Sequence, residues 1–362
     1  TGCMQRIHVL CNRDTPILCL HLSACYGMYT KSKLLCIHRH AKCKFIKYST
    51  HTTRYLLSDA KTYRVLLVHS PLCLDAVQHA LCEVLLTNMH VPSVSFVDSH
   101  VLCTLAVGRT SALVVDVGHL ETCVMPVYDG RPMQNLITTT PRAGRFLSRT
   151  LRALLARHAE TTAPIDDILH PSTIDEVQTR ALLVGEPCTC SRTTVSPLDV
   201  DAFASEYAKH ATNTSAWSLR VHGQSVLHVP GWLRERACEV FWEPGDEDEA
   251  SVVECVWQCI SRLPLDTRRE LLGSILLAGG SCLIPGWTQR FVQELQKPGL
   301  TSALQYGAAS MPTDPTHAMR VQVLNASATY MPANVLAWSG ASIAGHLHAE
   351  GTTVWTRDSW NA

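Results

Sequence analysis

An excess of charge of either sign is missing from this chain. Its 362 residues carry 31 Lys and Arg against 31 Asp and Glu, a formal net charge of zero. That balance argues against a general nucleic-acid-binding surface. No uninterrupted apolar run reaches the length that spans a bilayer. There is no low-complexity tract, no repeat of solenoid period and no sustained heptad pattern, so repeat and coiled-coil architectures drop out. The sixteen cysteines include no Cys-x-x-Cys pair, and no signal-peptide pattern precedes them. They read as reduced cytosolic thiols, many buried as small apolar side chains. On that reading the glycosylation sequons at Asn213 and Asn325 are irrelevant. What is present is 46% hydrophobic and 17% charged residues, the make-up of a soluble globular chain long enough for two or more lobes. The chain begins with Thr1 rather than Met, as a fragment or a processed product would.

The charge is unevenly spread. Residues 1–50 hold eight Lys or Arg and a single acid, Asp14, which leaves 23 basic and 30 acidic residues in the remainder. The head is basic and the body mildly acidic. Within the head, Cys36-x-His38-x-His40-x-x-Cys43 offers zinc-type ligands. Alternate strand positions point the same way only in pairs, however, and the spacing fits no common zinc module. The simpler reading is a solvated basic segment, with Lys42, Lys44 and Lys47 open to an acidic partner, and no metal site is assigned. The acidic turn Asp246-Glu-Asp-Glu249 likewise reads as solvated.

Two apolar runs that end in small-residue turns carry the main signal. Leu113-Val-Val-Asp-Val-Gly118 leads into His119, Leu120, Glu121 and Thr122, and Leu276-Leu-Ala-Gly-Gly-Ser281 is closed by Pro285-Gly286. Unbroken Val and Leu runs read as strands covered on both faces. Terminal glycines let the backbone turn sharply and approach a ligand closely. Asp116 sits where the first strand meets its turn, a position suited to a metal-bound phosphate. Elsewhere the pattern predicts strands over 63–69 and 93–97. Helices are expected over 74–89, 98–107, 175–183, 233–241, 252–262 and 287–295. A hairpin over 221–229 turns at Gly223-Gln224, Cys188 to Pro197 forms an exposed turn, and a late strand covers 320–324. Strands alternating with helices imply an α/β sheet.

Further landmarks fall in a fixed order along the chain. They are Val91-Pro-Ser-Val94, Gly108-Arg-Thr110, Asp116-x-Gly118, Pro126-Val-Tyr-Asp-Gly130, the helix start Arg142-Ala-Gly-Arg145, the Gly279-Gly280 turn, and Ala337-Trp-Ser-Gly-Ala-Ser-Ile343. Together they resemble the actin family, over a stretch from Tyr55 to His346. The resemblance implies an α/β, actin-like two-lobed fold of duplicated ribonuclease-H-like domains, with a truncated or diverged first lobe. Residues 1–50 are then unassigned, 51–107 form an incomplete first lobe, 108–336 the second lobe with 147–235 as its outer part, and 337–362 return to the first. Arg64-Val-Leu-Leu-Val68, Ser70-Pro-Leu-Cys73 and Pro264-Leu-Asp-Thr-Arg268 are similar to one divergent branch, found at the pointed end of the dynactin filament.

In this family a nucleotide lies against two glycine turns, and phosphoryl transfer depends on positioning and charge stabilisation. The resemblance assigns Asp116 and Gly118 to the second phosphate turn, and Gly279, Gly280 and Ser281 to the adenosine turn. ATP or ADP with Mg²⁺ is what such a degenerate cleft would take. The plainer readings are that Asp116 caps a turn and that Gly279-Gly280 serves strand-to-helix packing. Departures from the family pattern weigh against hydrolysis. Where the family has Asp and Gly after the turn, this chain has His119 and Leu120, and a side chain is disfavoured where φ is positive. The water-orienting polar residue aligns with Ser99, beside His100. Nothing between Thr1 and Thr50 provides the opening strand, phosphate turn and second strand, whether at Asp14-Thr15-Pro16 or at Gly27-Met28-Tyr29. That segment is replaced, strongly diverged, or the product of a faulty gene model. No catalytic residue is assigned.

Subunits of this family join head to tail, and growth stops where one of the two mating surfaces is missing. The region before Tyr63 is several dozen residues too short for the family's inserting element. The expectation is a non-catalytic subunit that caps the pointed end of the dynactin filament and supports dynein–dynactin cargo engagement on microtubules. Its partners would be actin-related filament subunits and the pointed-end complex, with dynein engaged indirectly, in the cytoplasm and cytoskeleton, without nucleic acid or membrane insertion. Two alternatives stand beside it: an ATP-hydrolysing or phosphotransfer enzyme of the actin and sugar-kinase superfamily, and an actin-related subunit of a chromatin-remodelling complex.

Overall fold

The computed structural model describes residues 7–10, 17–21, 61, 64–162, 164–185, 214–221, 225–243, 249–296, 321–324, 331–347 and 353–361. Its contacts divide the chain into two compact units. The first draws on Met4–Ser111, Val127–Gln134 and Val335–Ala362, the second on Ala112–Pro126 and Asn135–Asn334.

The first unit is built on a five-stranded sheet ordered β1-β2-β3-β4-β13: Ile7–Leu10, Ile17–His21, Arg64–His69, Ser93–Asp98 and Thr353–Thr356. The three central strands are parallel and the two edges antiparallel. Val65 to Val68 of β3 are all buried, as a parallel strand covered on both faces requires. On one face pack Leu81, from helix α1 (Asp75–Cys82), and Leu85, from its π-helical continuation (Glu83–Asn88), together with Phe96 of β4. On the other, Leu102 of α2 (Ser99–Ala106) joins Ala341 and Ala344 of α9 (Leu336–His346). Gly340 permits that close helix contact, since a Cβ there would lie 1.8 Å from the carbonyl oxygen of Leu102.

Two strands in this sheet correct the sequence reading. Within residues 1–50, Ile7–Leu10 and Ile17–His21 form an antiparallel pair whose second strand joins β3. The connection between them, 11–16, lies outside the described residues, as do 22–60 with the Cys36–Cys43 motif and Lys42, Lys44 and Lys47. Strand β13 was not anticipated either.

The second unit holds a sheet in which β12 (Ile275–Ala278), β5 (Ala112–Val117) and β6 (Thr122–Tyr128) are neighbours and β8 (Thr138–Thr140) pairs with β6. The tight hairpin from the end of β6 to β7 (Arg131–Pro132) falls in Val127–Gln134, which belongs to the first unit, and turns at Asp129 and Gly130 with φ of 50° and 72°. Two positive φ values are what such a two-residue turn demands. A smaller sheet orders β10 (Trp217–Val221), β11 (Ser225–Val229) and β9 (Glu160–Thr161); the turn at Gly223-Gln224 lies outside the described residues. Helices α3 (Gly144–His158), α4 (Pro171–Arg180), α5 (Gly231–Arg236), α6 (Val252–Arg262), α7 (Leu265–Leu272) and α8 (Trp287–Leu295) surround the sheets. Trp287 and Phe291 stack at 5.2 Å between ring centroids, fully buried.

Several expectations change in this unit. α4 starts at Pro171, ahead of the expected 175, because proline suits the first helical turn. The late strand reduces to one bridge, Val323 with Ile275, and Arg320 lies outside the described residues. Of the acidic turn, Glu249 is not simply solvated: it pairs at 3.2 Å with Arg142, which is 2% exposed. Its neighbours 246–248 and the turn over Cys188–Pro197 lie outside the described residues.

Candidate functional site

β5 and β12 run parallel with Asp116 opposite Ala278, so both strands end at the same sheet edge, where ligands bind in α/β sheets. All five predicted contact residues gather there. Gly279 has φ of +95°, and a Cβ on it would stand 2.2 Å from the Val117 carbonyl oxygen and 2.8 Å from Asp116 Oδ1. The fold itself therefore requires that glycine. Gly280 differs: its φ of −73° suits any residue, and nothing lies within 4 Å of a Cβ built there. Its glycine has no internal cause, which leaves the open side as an approach for a ligand. Ser281, buried, places its Oγ 3.5 Å from the Gly118 carbonyl oxygen and so spans the two turns.

The turn after Asp116 is closed by its own backbone. The Gly118 N–H donates to Glu121 O at 3.2 Å, while Gly118 O and His119 O accept from Gly144 N (3.0 Å) and Arg145 N (2.6 Å) at the start of α3. The Gly118 N–H is thus engaged within the protein instead of facing a phosphate. Leu120 carries no strain: among the described residues the only non-glycines with positive φ are His90 and Asp129. The expected steric penalty at Leu120 is absent because the turn takes a shape that needs no glycine there.

The Asp116 carboxylate is half-buried, with no hydrogen bond or ion pair to a described residue. Burial first, and then the Asp116 charge, raises the carboxyl of Glu121 above its ordinary 4.5. Burial likewise drives the thiols of Cys123 and Cys282 well above the usual range, with Asp116 adding to both, so these cysteines are unreactive. His119 is lowered below 6.5 by desolvation, opposed by Asp175 and reinforced by Arg145. Glu121, Asp175 and Arg145 were not predicted. Glu121 was legible as a carboxylate three residues past Gly118, but Asp175 comes from a helix that no local pattern links to the turn.

In the first unit, Ser99 is 3% exposed and its Oγ lies 3.2 Å from Nδ1 of the buried His100. Strand register sets His69 opposite Asp98, with His69 Nδ1 at 3.5 Å from Asp98 Oδ1 and 2.8 Å from Ser70 O. Asp98 Oδ1 has no hydrogen bond, while Gln134 Nε2 donates to Oδ2 at 3.3 Å. Among the described residues, no group of three or more His, Cys, Asp or Glu is arranged to hold a metal. A nucleotide with its cation fits this chain in part: Asp116 and Glu121 offer carboxylates and Gly280 an open flank, whereas the Gly118 N–H is unavailable.

The Actin family model matches residues 41–190 and 227–361. Actin-related protein 4 of Arabidopsis thaliana is 24% identical over 317 residues, covering 81% of this chain and 68% of the plant protein. Actin-like protein 7A of Rattus norvegicus and of Mus musculus are each 25% identical over 236 residues, 64% of this chain and 49% of theirs. The chain thus spans about half the length of those two relatives. A family match over well more than half of the sequence, carried by a fold in which the two glycine turns meet at one sheet edge, makes this chain a member of the actin family.

Proposed function

We propose that this chain is a non-hydrolysing actin-related subunit that ends a filament of actin-related subunits, at the pointed end of dynactin in the cytoplasm. The observation that carries the loss of hydrolysis is the turn after Asp116, where His119 and Leu120 replace an Asp and a Gly and the Gly118 N–H is spent on Glu121 O. A phosphate held there would lose a backbone donor and a carboxylate near its metal, which are the positioning elements phosphoryl transfer depends on. The capping role is supported by the likeness of Arg64–Val68, Ser70–Cys73 and Pro264–Arg268 to the dynactin branch, and by the habit of actin-related proteins of assembling with one another. ATP or ADP, if bound, would be held through Mg²⁺ near Asp116 and along Gly280-Ser281. The cation would neutralise phosphate charge.

Purifying the endogenous assembly and identifying the proteins that accompany this chain tests the reading. Dynactin subunits without ATP turnover are the expected result. ATP turnover abolished by Asp116→Ala would establish the enzyme reading instead, and recovery with remodelling ATPases the chromatin one.

A further inference from the structure

α3 (Gly144–His158) has no acidic residue anywhere along it. Its apolar side, with Leu147, Leu151, Leu154 and Leu155, is buried. The opposite side carries Arg145, Arg149, Arg152 and Ala156, spaced i, i+4, i+7 and i+11, the period of a seam along one helix face. Arg149, Arg152 and Ala156 are exposed and Arg145 is half-buried. None of these three guanidinium groups makes a hydrogen bond or ion pair with a described residue.

This arrangement works against the helix that bears it. Like charges four or three residues apart destabilise a helix, by about 0.2–0.5 kcal/mol per pair. A cation in the first turn also opposes the helix dipole, and α3 has no acid there to offset it. Among the described residues no hydrogen bond or ion pair offsets that repulsion, which leaves the row open to a partner outside the chain.

We infer that this face of α3 docks an acidic helical segment of a partner protein. Three cations over about 10 Å of helix match carboxylates placed three and four residues apart on a facing helix. Ala153 and Ala156, small and exposed, let that helix come close. Nucleic acid fits less well, because this helix face supplies only three cations where phosphate backbones are usually met by many more. A membrane surface fits less well again, because the apolar face an interfacial helix must insert is already buried here. The inference does not depend on which assembly the chain belongs to.

The test places a photo-crosslinking amino acid at Ala153 in the full chain, within its native assembly, and sequences what is captured. The expected product is a protein segment with Asp or Glu recurring at helical spacing. A synthetic peptide of that segment should bind the wild-type chain in a salt-dependent way. Binding should fall roughly tenfold or more in Arg149→Glu/Arg152→Glu and return when the peptide's acids are exchanged for Lys. Arg149→Gln/Arg152→Gln, which relieves the repulsion, should melt no lower than wild type yet bind more weakly. Capture of nucleic acid, lipid or a neutral segment, no capture at all, or undiminished binding by the charge-reversed chain would each overturn the inference.

Discussion

Replacing Gly279 and Gly280 by alanine, one at a time, separates what the fold demands from what a ligand demands. At Gly279 the backbone is left-handed, with φ of +95°, which costs an L-residue about 1–2 kcal/mol. The added methyl would also sit 2.2 Å from the Val117 carbonyl oxygen, and forcing the ends of β5 and β12 apart adds about 1–3 kcal/mol. The sum, about 2–5 kcal/mol, lowers the melting temperature of a unit this size by roughly 4–20 °C. At Gly280 the backbone is helical and the space open. Alanine there restricts only the unfolded chain and stabilises by about 0.4–1 kcal/mol, a rise of roughly 1–4 °C. The assay is thermal unfolding of the purified chain followed by circular dichroism, with Mg-ATP titration calorimetry on the same variants. Gly280→Ala should melt at or above wild type and still weaken any nucleotide binding. Equal destabilisation by the two substitutions, or a Gly279→Ala chain that melts like wild type, would refute the reasoning.

Glu121 is raised above 4.5 in the folded chain, so it binds protons more readily folded than unfolded. The stability it contributes is full below its unfolded value and is lost as pH rises through the folded one. Glu121→Gln should therefore gain on wild type in urea unfolding as pH rises above the ordinary carboxylate value of 4.5, and in an Asp116→Asn background the gain should shrink. Ser251 Oγ accepts from the Glu254 N–H and the Glu254 carboxylate accepts from the Ser251 N–H, a full capping box at the start of α6. Ser251→Ala should cost about 1 kcal/mol, read as a lowered melting temperature.

The buried strands and the helices nearest the site were legible because their signals are local. Leu113 to Asp116 and Leu276 to Ala278 show no polar alternation, and both are buried parallel strands. Trp287 to Leu295 and Val252 to Arg262 follow clear start signals and were placed to the residue. The opening strands were missed because Ile7–Leu10 and Ile17–His21 are four and five residues long and derive their identity from pairing with β3. Thr353–Thr356 is a strand for the same reason, through its register on β4. At the site, the glycine turns could be read from the sequence. The backbone bonds from Gly118 to Glu121 and from α3 back to the turn could not, since they depend on where α3 comes to rest.

The pairing of Thr353 with Phe96 sets an order of events during synthesis. Strand β4 leaves the ribosome early, but the strand that covers its outer edge is made only after Ala112–Pro126 and Asn135–Asn334 have emerged. Chains grow at about 5–20 residues per second, so the β4 edge waits, for a time on the order of ten seconds or more, as an unsatisfied template for β-addition. A nascent polypeptide of this design stays open to stray association along that edge until Thr353–Thr356 has been made.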